Sequence, residues 1–212
     1  MGGSMRRLLK WIGGIALFLV AAVVVLAGVL LVNVLRLPSQ QLQVSAIPQV
    51  AVDTKGAANR LSEAIRFRTI SNFLNPEQNA DALRGLQAHI AASFPAFHAA
   101  AKLEVVNNHS LLYTWEGSDT AAKPIALLAH QDVVPIAPGT EKDWQQPPFD
   151  GVVDDNFIWG RGSWDDKGNL YSMLEAAEQM AKDGFRPKRT IYFAFGHDEE
   201  VSGIRGAKAI AA

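Results

Sequence analysis

The chain has 212 residues, of which 49% are apolar and 19% charged, and its formal net charge is −1 with an isoelectric point near 6.5. No block of like charge lies outside the N-terminus, which leaves no basic footprint for nucleic acid and favours a small-molecule or peptide substrate. The absence of cysteine excludes a disulfide framework, thiolate catalysis and Cys-ligated zinc, while His and carboxylate metal sites stay open.

From Trp11 to Leu35 the sequence is uncharged, with Asn33 as its one strongly polar residue. At about 1.5 Å per residue, a helix of that length crosses a bilayer core of about 30 Å. The run is longer than the apolar region of a cleaved signal peptide and ends in the bulky Val34, Leu35, Arg36 and Leu37, which favours an uncleaved anchor. Arg6, Arg7 and Lys10 precede it and Arg36 alone follows closely, so the N-terminus is expected in the cytoplasm and the remainder on the periplasmic, extracellular or lumenal side. Residues 1–10 are then a basic cytoplasmic segment, 11–35 the anchor, 36–53 a Pro/Gln/Ser-containing tether and 54–212 one domain.

Within that domain, apolar spacing predicts helices over Ala57–Phe67 and Ala82–Phe94, with Asn79 and Asp81 as cap residues of the second. Strands are predicted over Lys102–Val106, Ser110–Trp115 and Ile125–Ala129; the last is a continuous apolar run, which implies burial on both faces. Asp154, Asp155 and Asn156 read as a hairpin turn between Gly151–Val153 and Phe157–Trp159. A helix over Gly168–Asp183 ends at Gly184 and Pro187, a buried strand covers Thr190–Phe195, and Ser202–Ala212 reads as one further helix still running at the last residue. Strands alternating with amphipathic helices make this an α/β domain, whose sites form beyond the carboxyl ends of strands.

Three segments at such places carry chemistry: His130-Gln131-Asp132, the loop from Gly160 to Gly168, and His197-Asp198-Glu199-Glu200. An imidazole two residues before a carboxylate allows Asp132 to hold the ring nitrogen that faces away from a metal. The glycines at 160, 162 and 168 permit a tight, exposed backbone around Asp165; a phosphate loop would need a different spacing, and the two acids before Lys167 would repel phosphate. Asp198, Glu199 and Glu200 end an apolar strand, where unpaired negative charge is costly and a cation relieves it. Taken singly, His130 is better read as a loop or core histidine and the acidic cluster as a solvated loop, while the glycine segment suits a carboxylate-bearing loop or merely a sharp turn. His197, beside the acids, is a candidate supporting group; His89, His98 and His109 are poor ligand candidates. Trp144, Pro147, Pro148 and Phe149 suit either a pocket mouth or plain packing, and Asn108-His109-Ser110 is a glycosylation sequon.

In order along the chain, HQDVVP, Trp144 with PPFDG, GRGSWDDKG and GHDEEVSG resemble the two-zinc family of aminoacylase, acetylornithine deacetylase and carboxypeptidase S. Within it they are most similar to the branch of carboxypeptidase S and the N-acyl amino acid hydrolases. The resemblance covers roughly residues 60–212 and implies the N-terminal part of a zinc-exopeptidase-like α/β catalytic domain, a mixed sheet flanked by helices. It implies two zinc ions, with His130 on one, Glu200 on the other and Asp165 bridging them, Asp132 orienting His130, and Glu199 as general base. It also implies a cis peptide after Asp165, a substrate that is a small peptide or N-acyl amino acid with a free carboxylate, and homodimerisation through a lid domain. A further acidic ligand, a late His ligand and the lid lie beyond the point matched by Ala212. On this reading the sequence is expected to be incomplete and inactive alone, with an exposed sheet edge, and a non-catalytic anchored remnant or binding module is the alternative. A two-metal aminopeptidase with the same core would share the chemistry.

Overall fold

A computed structural model describes residues 2–46 and 48–212. It divides into one unit ending at Val50 and a second from Ala51 to Ala212. In the first, helix α1 (Gly2–Arg36) exposes apolar side chains along its length and is long and apolar enough to cross a membrane. Such a helix suits a membrane span or a signal sequence equally well on length and composition.

The second unit begins with α2 (Thr54–Arg66), capped by the Asp53 carboxylate, which accepts the Gly56 N–H at 2.9 Å. Next come α3 (Ala80–Ser93) and α4 (Pro95–Ala100), a short helix of under two turns started by Pro95. Asn79 stands at the α3 cap position without a side-chain cap bond, and Asp81 lies in the first turn. Strands β1 (Lys102–Val106), β2 (Ser110–Trp115) and β3 (Ile125–His130) follow, then α5 (Lys167–Lys182), β4 (Ile191–Gly196) and the short α6 (Ala207–Ile210). Helix α5 presents Leu170, Tyr171, Leu174, Ala177 and Glu178 inward. It stops at Gly184, whose φ of 71° places it in the left-handed region while the Phe185 N–H reaches back to the Met180 carbonyl at 2.9 Å.

The four strands form one mixed sheet in the order β1-β2-β4-β3. β4 pairs antiparallel with β2 and parallel with β3, so His130 stands opposite Gly196. One face of the sheet is packed: Leu111, Tyr113 and Trp115 of β2 and Ile191, Phe193 and Phe195 of β4 meet Phe94 and Phe97, Leu86 and Ile90 of α3, and Leu170, Tyr171 and Leu174 of α5. The opposite face is open, and a cleft of about 580 Å³ runs over Leu112, Leu128, Tyr192, Ala194 and Ile210 toward His130 and Glu199.

Two expectations are corrected. β3 is not buried on both faces: it forms a sheet edge, with Ile125 40% and Leu128 66% exposed, because its outer edge is unpaired and one of its faces lines the open cleft. Its continuous apolar run comes from residues that need covering on one face and go uncovered on the other. Nor is Ser202–Ala212 one helix. Ser202 and Gly203 take positive φ (94° and 65°), and the Asp198 carboxylate accepts the N–H groups of Arg205 and Gly206, delaying helix formation to Ala207. The Asp154 turn is present, closed by its carboxylate on the N–H groups of Asn156 and Phe157, but only the single bridge Val153 to Ile158 joins its flanks.

Phe97 is fully buried and packs its ring against Tyr113, Trp115 and Phe193 at centroid distances of 5.0, 5.8 and 4.9 Å. Phe97→Ala should lower unfolding free energy by about 3–5 kcal/mol, measured by denaturant titration; a loss under 1 kcal/mol would show that this core does not hold the sheet.

Candidate metal centre

The parallel pairing of β3 with β4 brings two strand ends to the same side of the sheet, and the connection between them, through α5, starts from the loop carrying Asp165. Three segments far apart in sequence therefore converge. One donor atom each from His130, Asp165 and Glu200 lies within 4.8 Å of the others, and His130 Nε2 is 3.0 Å from Asp165 Oδ1. Glu199 sits beside them, its Oε2 3.8 Å from the same ring nitrogen, with its side chain 58% exposed.

Asp132 is completely buried. Its Oδ1 accepts the Glu199 N–H and its Oδ2 the Glu200 N–H, both at 3.1 Å, and Ser71 Oγ donates to Oδ2 as well. Nδ1 of His130 faces the Asp132 backbone carbonyl at 3.0 Å and its carboxylate Oδ1 at 3.3 Å. A proton on Nδ1 is thus held by Asp132, mostly through its main chain, and Nε2 is left to face Asp165 and Glu200. Burial pushes Asp132 up, but the His130 and Ser71 bonds outweigh it and hold the carboxyl below its usual value.

The Asp165 loop is shaped by Gly160 and Gly162, with φ of 148° and 86°. A Cβ at Gly162 would come within 2.8 Å of Val133, so the loop packs closely under the end of β3. The peptide between Asp165 and Asp166 is cis. Asp166 turns back to accept the His130 backbone N–H at 3.1 Å, tying the loop directly to the strand end.

The donor set, one imidazole and two carboxylates, is that of a hard or borderline cation such as zinc. Burial, and then the neighbouring Asp165 carboxylate, push the Glu200 carboxyl above its usual value, against the opposing pull of His130. His130 responds in the opposite sense. Burial lowers it, but the Asp132 carboxylate, Asp166 and Asp165 together raise it to about 9.

His197 is buried with Nδ1 2.7 Å from Ser110 Oγ, and burial pushes it below its usual value. It braces the Asp198 loop from behind rather than joining the donor cluster. His89 bonds the Arg60 carbonyl and stacks on Tyr171, a packing role. Trp144 lies under the Arg161 guanidinium at 5.2 Å and Phe149 under that of Arg68 at 4.9 Å, so both brace the loop in front of the Gly160 turn. Sequence reasoning missed Ser71 and Asp166. Ser71 carries no signal, since it meets Asp132 only through tertiary packing; the doublet Asp165-Asp166 was visible, but not that its second carboxylate serves the backbone.

A folded-state value of His130 above its unfolded value means that its protonated form stabilises the metal-free fold. That contribution is complete below about pH 6.5 and is lost as pH rises through about 9. Lys167, which burial lowers to about 7, contributes a slope of the opposite sign, so the ring itself is the cleaner observable. An NMR titration of the metal-free chain should place the His130 midpoint near 9, and Asp132→Asn should move it downward, because the largest counterweight to burial is removed while Asp166 and Asp165 remain. An unmoved midpoint in the variant would remove Asp132 from this role.

Residues 126–212 match the model of peptidase family M20/M25/M40. The chain is 42% identical over 181 residues to carboxypeptidase S of Saccharomyces cerevisiae, covering 82% of this chain and 31% of that protein. It is 39% identical over 203 residues to the N-fatty-acyl-amino acid synthase/hydrolase PM20D1 of Xenopus tropicalis, covering 92% of this chain and 39% of that protein. It thus spans well under half the length of these curated relatives. Among solved structures, human carnosine dipeptidase 1 superposes with a TM-score of 0.57 at 19% identity, over 74% of this chain and 37% of that one, a likeness of fold. Motifs, fold and the converged acidic cluster agree with the match of residues 126–212 to the model of peptidase family M20/M25/M40.

Proposed function

We propose that this chain supplies the water-activating half of a zinc-dependent hydrolase that cleaves a peptide or acyl bond next to a free carboxylate. The observation that carries the reading is the convergence of His130, Asp165 and Glu200 within 4.8 Å, beside a free Glu199 carboxylate. Names of relatives on the two sides of the carboxypeptidase S branch, a carboxypeptidase and an N-fatty-acyl-amino acid hydrolase, support the substrate class. In this reading residues 54–212 form the catalytic segment and 36–53 a tether.

His130 and Glu200 would each hold one of two zinc ions, and Asp165 would bridge them. Bound zinc supplies Lewis acidity, polarising the scissile carbonyl and making water a better nucleophile near neutral pH. The protein groups do the rest. Asp132 holds the Nδ1 side of His130 and, through the N–H groups of Glu199 and Glu200, the main chain from which both carboxylates project. Glu199 takes the proton from attacking water and returns it to the leaving amine.

The division of roles is tested by substitution in this protein. Glu199→Gln should lower kcat by about 10²–10⁴-fold with zinc content retained by elemental analysis, while His130→Ala should lose zinc. Equal zinc loss in both variants would refute the split. The alternative, a binding module on the same fold, predicts no zinc in the wild type.

The N-terminal helix is proposed as an uncleaved anchor with Arg6, Arg7 and Lys10 in the cytoplasm. A reporter enzyme active only outside the cytoplasm should work when fused after Asp53 and remain membrane-bound; reporter activity in the soluble fraction would indicate a cleaved signal sequence instead.

A further inference from the structure

Lys167 is fully buried. Among the described residues its ε-amino group bonds two backbone carbonyls, Ala64 at 2.9 Å and Phe67 at 2.6 Å, at the C-terminal end of α2. Removing an amine from water costs several kcal/mol, and helix ends elsewhere are satisfied by glycine, water or a 3-10 turn at no such cost. An apolar side chain of equal length would fill the same space. What the amine adds is a directional link.

That link joins the two parts of the metal centre that the sheet does not hold together. Lys167 starts α5 two residues after Asp165, and its stem lies against Gly162, where a Cβ would sit 3.4 Å from Lys167 Cδ. Its partner carbonyl, Phe67, opens a short strap over residues 67–71. The Thr69 N–H donates to the Phe67 carbonyl at 2.9 Å, and Thr69 Oγ donates to the Gln131 carbonyl at 2.7 Å. The Val133 N–H donates to the Thr69 carbonyl at 3.0 Å, and the Ser71 N–H to the Val133 carbonyl at 3.1 Å. Ser71 Oγ then reaches the Asp132 carboxylate. The strap thus grips the chain on both sides of Asp132, and Lys167 fastens the Asp165 loop to that strap.

We infer that Lys167 is a positioning residue for the metal centre, setting where Asp165 stands relative to His130 and Asp132 by tying its loop to the 67–71 strap. This rests on the metal-site reading above, and cobalt(II), whose visible absorption reports ligand geometry, separates the two. In detergent at fixed pH, cobalt titrated into the wild-type chain should give an absorption that His130→Ala abolishes. Lys167→Met should bind cobalt about tenfold or more weakly and show shifted bands in protein that is folded by circular dichroism. Phe97→Leu, a core change that touches none of these groups, should lower Tm and leave affinity and bands unchanged. If Lys167→Met does not fold, Thr69→Val, which keeps the side-chain shape and removes the bond to Gln131, carries the same expectation. Wild-type affinity and bands in the folded variant would overturn the positioning role while leaving the metal site standing. No His130-dependent cobalt signal in the wild type would remove both.

Discussion

A single buried carboxylate organises this site. Asp132 lies out of water with its charge intact, which is tolerable only because donors surround it: two main-chain N–H groups, one hydroxyl and the facing imidazole. Each donor is also a piece of the centre. The N–H groups belong to Glu199 and Glu200, the ring is His130, and the hydroxyl comes from the strap after α2. Satisfying the one charge therefore fixes the direction of the other groups, and loosening any one of them leaves a buried anion short of a partner.

The sheet makes this arrangement available. Parallel pairing of β3 and β4 aligns their carboxyl ends, and the connection between them must cross over one face, which α5 does while packing Leu170, Tyr171 and Leu174 into the core. The loop that starts the crossover is thereby delivered beside both strand ends. Asp166 ties it to the His130 backbone and Lys167 to the end of α2, so Asp165 is held from two directions. The cation-attracting character follows from this geometry. Carboxylates from separate segments are pressed together at the lip of an apolar cleft, and the Glu200 carboxyl is pushed upward by burial first and by the neighbouring Asp165 next.

The aromatic packing beneath the sheet and the polar network above it do different work. Phe97, Tyr113, Phe193 and Trp115 interlock by edge-to-face and tilted contacts that hold β2 and β4 against α4. Nothing in that layer touches the site, yet the strand ends could not stand still without it. Rigid support below and a fully bonded carboxylate above are what allow exposed groups such as Glu199 and Asp165 to keep useful positions at the surface.

Much of this was legible in the sequence. The apolar N-terminal run, the amphipathic spacing of α2, α3 and α5, and the ordered His-x-Asp, Gly-rich and Asp-Glu-Glu segments are local patterns, each set by side-chain periodicity or by a motif short enough to read directly. The family resemblance carried by those segments implies His130, Asp132, Asp165, Glu199 and Glu200 as one constellation. What the sequence could not decide depended on neighbours distant in the chain. β3 looks doubly buried because its residues are apolar, yet its place at a sheet edge is set by pairing partners. Ser202–Ala212 looks helical because its residues tolerate a helix, yet the Asp198 carboxylate captures the backbone of Arg205 and Gly206 first. Ser71, Asp166 and Lys167 carry no local signature of their use, since each acts through a bond to a backbone or side chain brought near only when β3, β4 and α2 have packed. Residue type, spacing and the resemblance they carry pointed to the candidate groups; tertiary contact decided which groups hold them there, because hydrogen bonds between distant segments exist only in the folded chain.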